Sequence, residues 1–486
     1  MSSGLRRFVD NARVRRYSFV MNRSIFTRAS LSRAVLAALA LSFHLAAPGP
    51  AEGQPSTPDV SALVDTVFAP LAGKELPGAA VVVLRDGKVV YAKAYGLANL
   101  ELGVANTTRT KFRIASVTKP FTALAVLRLV EQGRLGLDDA VAAYLPDFVG
   151  GDTITIRHLL THTAGLPDFM SFDEAKVLER EHAPGERLNY SNIGYMALGR
   201  VIEKVTGKSW EAYVREAILA PLGMNDTGLD TRRALEMGRA SGYTLGPEGR
   251  FENADYADLS QDPAAGGLTS TAEDMTIWVK ALLDGRIVSP AAFRAATTPV
   301  TLAAGRQGAY GLGFTLIPFR GLREIAHGGD IDGFNAYVSI YPDERLAIIV
   351  LSNAGLRPPG PVPSAENIAH QIAAILLGDR LGPEWPEAVA VPPATLDRYA
   401  GRYRLDAPPM VTAVLGDTVE IRREGDRLFI AAKQGRFEIF PESETSFFSK
   451  MGPVKIIFEP GPDGSAPEAL LSLMGLREFR LLRFSR

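Results

Sequence analysis

The sequence predicts an α+β fold: an antiparallel sheet flanked by helices with an inserted helical layer, followed by a small antiparallel β-barrel. Three observations carry this. Strand-like runs occur around residues 79–96 and again beyond residue 309, helical periodicity fills the interval, and the stretch after residue 393 is a series of short alternating strands. Strands at both ends of one segment must pair across the helices between them, so distant parts of the chain build one sheet. The expected layout is a leader over 1–51, a main domain over 52–382, a proline-rich linker over 383–393 and a barrel over 394–486.

The amino end carries Arg6, Arg7, Arg13, Arg15, Arg16, Arg23, Arg28 and Arg33 against one acid, Asp10, and then the apolar run Ala34–Ala47. A basic region ahead of an apolar one is the pattern of an export signal, and the run is shorter than the ~20 residues that a membrane span needs. Cleavage is expected after Ala51, Met21 offers a start of more ordinary signal length, and an uncleaved anchor is the rival reading. The expected destination is the periplasm or the medium, with no stable membrane span. The 486 residues include no cysteine, which excludes disulfides, thiolate metal sites and a lipid-modified cysteine. Lys+Arg 53 balances Asp+Glu 54, so nothing points to a nucleic-acid partner.

Gln54–Pro58 reads as a polar linker and Val60–Leu71 has helical periodicity. Ala79–Leu84 and Val89–Gly96 flank Asp86-Gly87, a turn pair suited to positive φ, and form a hairpin. Ser116-Val117-Thr118-Lys119-Pro120 then opens a helix that runs to Gly133. Pro120 falls in its first turn, where a missing N–H costs nothing. Leu137–Tyr144 reads as a short helix. His158 and His162 are four apart, but no Glu sits between them as a zinc hydrolase requires, so they are expected to pack and hydrogen-bond. Helices are expected over Ile193–Val205, Trp210–Leu219 and Met275–Leu283, the last behind Ser270-Thr271-Ala272-Glu273. Tyr310–Leu316, Glu324–His327, Ala336–Tyr341 and Leu346–Ser352 are four strand candidates, and Ile368–Leu377 is a closing helix. Seven short strands between Tyr399 and Phe484 complete the chain.

The chemistry starts at Ser116 and Lys119, three apart on one helix face. A serine hydroxyl is a weak nucleophile until a neighbour takes its proton, and a lysine kept neutral by burial can do so. A Ser-x-x-Lys alone is common, and an N-cap serine beside a surface lysine is the plain alternative. Two more clusters follow in order: Tyr190-Ser191-Asn192 at a helix start, and His327-Gly328-Gly329 in a strand run. Tyr190, with an ordinary pKa near 10, is a poor base at neutral pH unless a cation favours its phenolate. Asn192 can donate to and accept from a substrate amide. Gly328 and Gly329 let a substrate backbone approach the strand, or else mark a bulge. His327 by itself reads as an ordinary strand residue.

Together and in this order, the three clusters resemble the active-site motifs of the serine β-lactamase and penicillin-binding-protein superfamily. The branch is the class C β-lactamase-like one, with its esterase and D-aminopeptidase relatives. His158–Leu166 and Pro221-Leu222-Gly223-Met224 also look like that family, and the final segment looks like the extension that some members carry. The resemblance implies a β-lactamase/transpeptidase-like fold and an acyl-enzyme on Ser116. It gives Lys119 and Tyr190 the proton transfers, with the acylation base open between them. Asn192, His327, Gly328 and Gly329 would bind substrate, and backbone N–H groups of Ser116 and Asp330 would form the oxyanion hole. No cofactor and no metal are implied. The expected substrates are small molecules or short peptides: esters and amides, including D-amino-acid and peptidoglycan-derived ones. True β-lactamases have Lys-Thr-Gly where this chain has His327-Gly328-Gly329. A permanent cation and a hydroxyl are therefore missing, and β-lactam hydrolysis is expected to be weak. The alternative class is a catalytically weak or inactive penicillin-binding-like protein that holds cell-wall peptides. An α/β-hydrolase is disfavoured by the absence of any Gly-x-Ser-x-Gly.

Overall fold

The computed structural model describes residues 60–71, 75–168, 180–233, 235–303, 305–356, 360–433, 435–461 and 465–484. The basic leader, its apolar run and the Gln54–Pro58 linker lie outside the described residues. The chain forms two compact units, one running to Pro386 and including Met474–Glu478, the other made of Glu387–Leu473 and the residues from Phe479.

The first unit is built on five antiparallel strands, β1 (Ala79–Arg85), β2 (Lys88–Tyr95), β3 (Ile325–Ile331), β4 (Phe334–Tyr341) and β5 (Leu346–Ser352). Their order is β3-β4-β5-β1-β2, so the two ends of the unit meet where β1 pairs with β5, Ala79 opposite Ser352 and Arg85 opposite Leu346. Asp86 and Gly87 make the β1–β2 turn with φ of 52° and 72°. Side chains alternate along β1: Ala80, Val82 and Leu84 enter a core with Phe121, Val201 and Met275, whereas Ala79, Val81 and Val83 enter another with Val64, Ile368 and Ile372. Helices therefore cover both faces, Thr118–Glu131, Asn192–Thr206 and Ala272–Leu283 on one and Ala365–Leu377 on the other. Burial on both sides is why β1, β4 and β5 carry mainly apolar residues on both faces instead of alternating.

Three expectations are corrected in detail. Tyr310–Leu316 is not a strand; it makes isolated bridges from Tyr310 to Thr315 and from Thr315 to Ala326. Gly311 and Gly313 interrupt it, and Gly313, at φ 91°, presses its α-carbon so closely on the Thr118–Glu131 helix that a side chain would overlap Ala123. The helix from Trp210 is α only to Val214, widens into a π turn over Arg215–Leu219 and resumes over Ala220–Leu222. Leu137–Tyr144 holds only the 3-10 turn Val141–Ala143.

The second unit contains a closed barrel of eight strands in chain order, from Gly401–Asp406 to Arg477–Arg483. The strand absent from the sequence reading is Glu468–Leu473, a run buried at all but its first residue that lacks the alternation by which the others were recognised. Side chains fill the interior: Tyr399 stacks on Phe458 at 3.9 Å and Phe447 meets both edge-on. Among the described residues no helix is long and apolar enough to cross a membrane.

One buried amide fastens the start of the sheet to its neighbours. Asn353, 0% exposed, accepts from Gly78 N–H at 2.8 Å and donates to the carbonyls of Leu97 (2.9 Å) and Ser241 (3.0 Å). Asn353→Ala would orphan three main-chain groups in a dry interior. The expected loss is about 3 kcal/mol of unfolding free energy in urea, and a change below about 0.5 kcal/mol would show that water replaces the amide.

Candidate active site

Ser116 stands at a strained corner. Phe112 and Arg113 pair with Ser270 and Thr269, and Ile114 N–H reaches Leu268 O at 3.0 Å. Ala115 then takes φ 45°, a left-handed conformation that a residue with a Cβ rarely adopts, and the chain turns through Ala115–Val117 into the helix Thr118–Glu131. One helical turn on, Lys119 is 0% exposed. Its Nζ lies 3.0 Å from Ser116 Oγ, 2.7 Å from Asn192 Oδ1 and 2.8 Å from Ala265 O.

Tyr190 closes the cluster. Its ring centroid lies 4.8 Å from Lys119 Nζ, and the Ser116 hydroxyl is close enough to act on its phenol. Ser116, Lys119, Tyr190 and Asn192, distant in sequence, thus meet in one place. Burial pulls Lys119 down from the usual lysine range to about 7, with Asp168 acting in the opposite direction. Burial pushes Tyr190 up, only partly offset by the neighbouring Ser116 hydroxyl.

His327 sits on β3, 3% exposed. Its Nδ1 lies 2.6 Å from Gly328 O and its Nε2 2.8 Å from Tyr310 Oη. A carbonyl only accepts, so Nδ1 carries the proton and Nε2 accepts from the tyrosine. Burial, with Lys119 nearby, holds the imidazole down to about 3, so it is neutral at physiological pH. The two glycines that follow differ. A Cβ on Gly328 would make only ordinary contact with Tyr337, at 3.4 Å, whereas one on Gly329 would overlap Ile114 O and stand 3.1 Å from Ser116 N. The strand carrying Asp330 therefore lies directly against the Ser116 main chain.

Several residues at this site escaped the sequence reading. Asp168 Oδ1 accepts from Asn192 N (3.0 Å) and Nδ2 (2.9 Å), which turns the amide so that its Oδ1 faces Lys119. The other Asp168 oxygen pairs with Arg477, whose guanidinium also donates to Tyr190 O at 3.3 Å. Arg477 belongs to Met474–Glu478, the segment that clusters with this unit. Nothing local marks it, whereas Asp168 directly follows the Gly165-Leu166-Pro167 stretch. Tyr310, the partner of His327, fell within the run read as a strand.

A serine beside a buried lysine and a tyrosine, against an antiparallel sheet covered by helices, is the arrangement of a serine hydrolase. The chain belongs to the Beta-lactamase family, which matches residues 64–373, and residues 386–485 match a domain of unknown function, DUF3471. The chain is 31% identical over 440 residues to penicillin-binding protein 4* of Bacillus subtilis, covering 83% of this chain and 94% of that protein. Among solved structures it resembles an octameric penicillin-binding protein homologue from Pyrococcus abyssi, at 27% identity and TM-score 0.59, covering 87% of this chain and 100% of that one. It also resembles the D-amino acid amidase of Ochrobactrum anthropi, at 25% identity and TM-score 0.58, covering 66% and 99% respectively.

The unequal crowding of the glycines gives a test. Gly329→Ala is expected to push β3 off Ser116 and slow fluorophosphonate labelling about 100-fold, the size of losing one oxyanion donor. Gly328→Ala should label at close to the wild-type rate, and equal rates for the two variants would contradict the close approach.

Proposed function

We propose that the protein works through an acyl-enzyme on Ser116, with Lys119 as the acylation base and Tyr190 as the acid that serves the leaving group. The observation that carries this is the set of partners around the Lys119 amine. As an ammonium it donates to Ser116 Oγ, Asn192 Oδ1 and Ala265 O. As a free amine it has two N–H bonds and one lone pair. The carbonyl of Ala265 and the oxygen of Asn192 can only accept, so they take both N–H bonds. The lone pair is left facing Ser116, the one partner with a proton to give. With its pKa near 7, Lys119 is substantially in that form at neutral pH. Tyr190, raised by burial, stays protonated there and is the poorer base.

In this reading Lys119 takes the Ser116 proton as Oγ attacks the carbonyl carbon. The developing oxyanion is held by the N–H groups of Ser116 and Asp330. The Tyr190 phenol protonates the departing alkoxide or amine and is restored by the proton held on Lys119. Water then attacks the acyl carbon and gives its proton to Lys119, and Oγ leaves and recovers a proton. Asn192 fixes the Lys119 amine as well as facing substrate.

The proposed substrates are esters and short peptide amides, including D-amino-acid and peptidoglycan-derived ones. The likeness to a D-amino acid amidase and to penicillin-binding protein 4* supports that class. His327 is neutral and engaged at both nitrogens, so it offers no cation to a β-lactam carboxylate, which supports weak β-lactam hydrolysis. The arginine-rich leader supports action after export. Cell fractionation is expected to recover the protein from periplasm or medium, and recovery from cytosol alone would count against export.

Intact-mass spectrometry with nitrophenyl esters should show an acyl adduct that Ser116→Ala abolishes, and kcat/KM should exceed that on cephalosporins. A depressed lysine pKa makes the active free amine the form present above that pKa. The acylation rate should therefore rise with pH through about 7 and level off above it. Lys119→Arg, which cannot deprotonate, should lose about 1000-fold or more. An adduct that persists in Ser116→Ala, or a rate independent of pH between 5 and about 9, would overturn the assignment.

A further inference from the structure

His162 has no part in the steps above, yet it holds the segment that carries Tyr190 at three points. Its carbonyl accepts from Asn189 N–H at 2.8 Å and its Nδ1 accepts from Ser191 N–H at 3.1 Å, so one residue grips the chain on either side of Tyr190. The Tyr190 N–H between them goes to Leu476 O at 3.0 Å. The third point is the imidazole itself, which lies against the Tyr190 ring with centroids 4.2 Å apart and planes 34° apart. Tyr195 and Tyr310 wall its other sides at 5.0 and 4.6 Å. To make both bonds His162 adopts φ 58°, a left-handed backbone held only where the surroundings enforce it.

Since Nδ1 accepts, the ring proton is on Nε2, and that nitrogen is buried with no hydrogen-bond partner among the described residues. Leaving it so is unfavourable, so the ring is not placed there to serve a network on that side. It supplies two things at once, a short acceptor toward Ser191 and a flat face under Tyr190. Asparagine tolerates the left-handed backbone and keeps an acceptor but has no ring; phenylalanine keeps the ring but has no acceptor.

We infer that His162 is a positioning residue for proton transfer, clamping the main chain at Asn189 and Ser191 and backing the Tyr190 ring so that the phenol keeps its place beside Ser116 and Lys119. This rests on the Ser116, Lys119 and Tyr190 reading above. The charged and titratable groups around the imidazole are Lys119, His327 and Arg477, with Tyr190, Tyr195 and Tyr310. Burial together with the three basic groups keeps the ring neutral, so the clamp persists through the working pH range and is not a switch.

The test is a cycle on the full chain, with kcat, KM and intact-mass acylation by a nitrophenyl ester. His162→Asn and His162→Phe are each made with Tyr190 and with Tyr190→Phe, and Tm is followed throughout. With Tyr190 present, both substitutions should lower kcat about 100-fold with KM within about threefold. In Tyr190→Phe they should lower kcat no further, because the group they position is gone. Equal losses in both backgrounds, or wild-type kcat in both variants, would overturn the inference while leaving the acyl-enzyme reading intact. If His162→Phe does not fold, the His162→Asn cycle decides alone. A wild-type protein that never acylates would instead remove the Ser116 reading, and this inference with it.

Discussion

The amine of Lys119, sealed from water among acceptors, is the constraint on which the site depends. A lysine taken out of water resists carrying charge, because desolvation penalises the ammonium far more than the free base. The faces of Tyr190 and Tyr195, at 4.8 and 5.6 Å from Nζ, work the other way by favouring the cation. The balance leaves the group poised near neutrality, where a base is most useful. Geometry then decides direction: two of its three neighbours are oxygens without protons, so the free amine has one orientation.

Sheet and helices together bring the partners of that amine into place. Strand β3 presses its Gly329 against the Ser116 main chain, the corner at Ala115 lifts the hydroxyl, and Asp168 turns the Asn192 amide toward Lys119. His162 fixes the Tyr190 segment from below. The same close packing explains why His327 is no substitute for a permanent cation. A strand residue this buried is neutral, and its two nitrogens are spent on Gly328 O and Tyr310.

Much of this was legible in the chain. Local signals gave the hairpin at Asp86-Gly87, the helix opened by Pro120, the strands of the sheet and a barrel after the linker, because turn chemistry and periodicity are written in neighbouring residues. The order of three short motifs pointed to Ser116, Lys119, Tyr190 and Asn192. What did not show was set by tertiary contact. Asp168 and Arg477 matter through pairings across the fold, Gly313 keeps its segment from forming a strand because a helix passes too close for a side chain, and the π turn at Arg215–Leu219 has no sequence mark. Glu468–Leu473 hid because a strand without polar alternation carries no period-two signal.

The most direct test is the protonation state of one amine. In the full-length protein with lysines carrying ¹³C at Cε, assigned with Lys119→Arg, the chemical shift of Lys119 should titrate with a midpoint near pH 7, well below the other lysines. A midpoint near 10, the ordinary value, would mean that Lys119 is an ammonium whenever the enzyme works, and the base would have to be sought elsewhere.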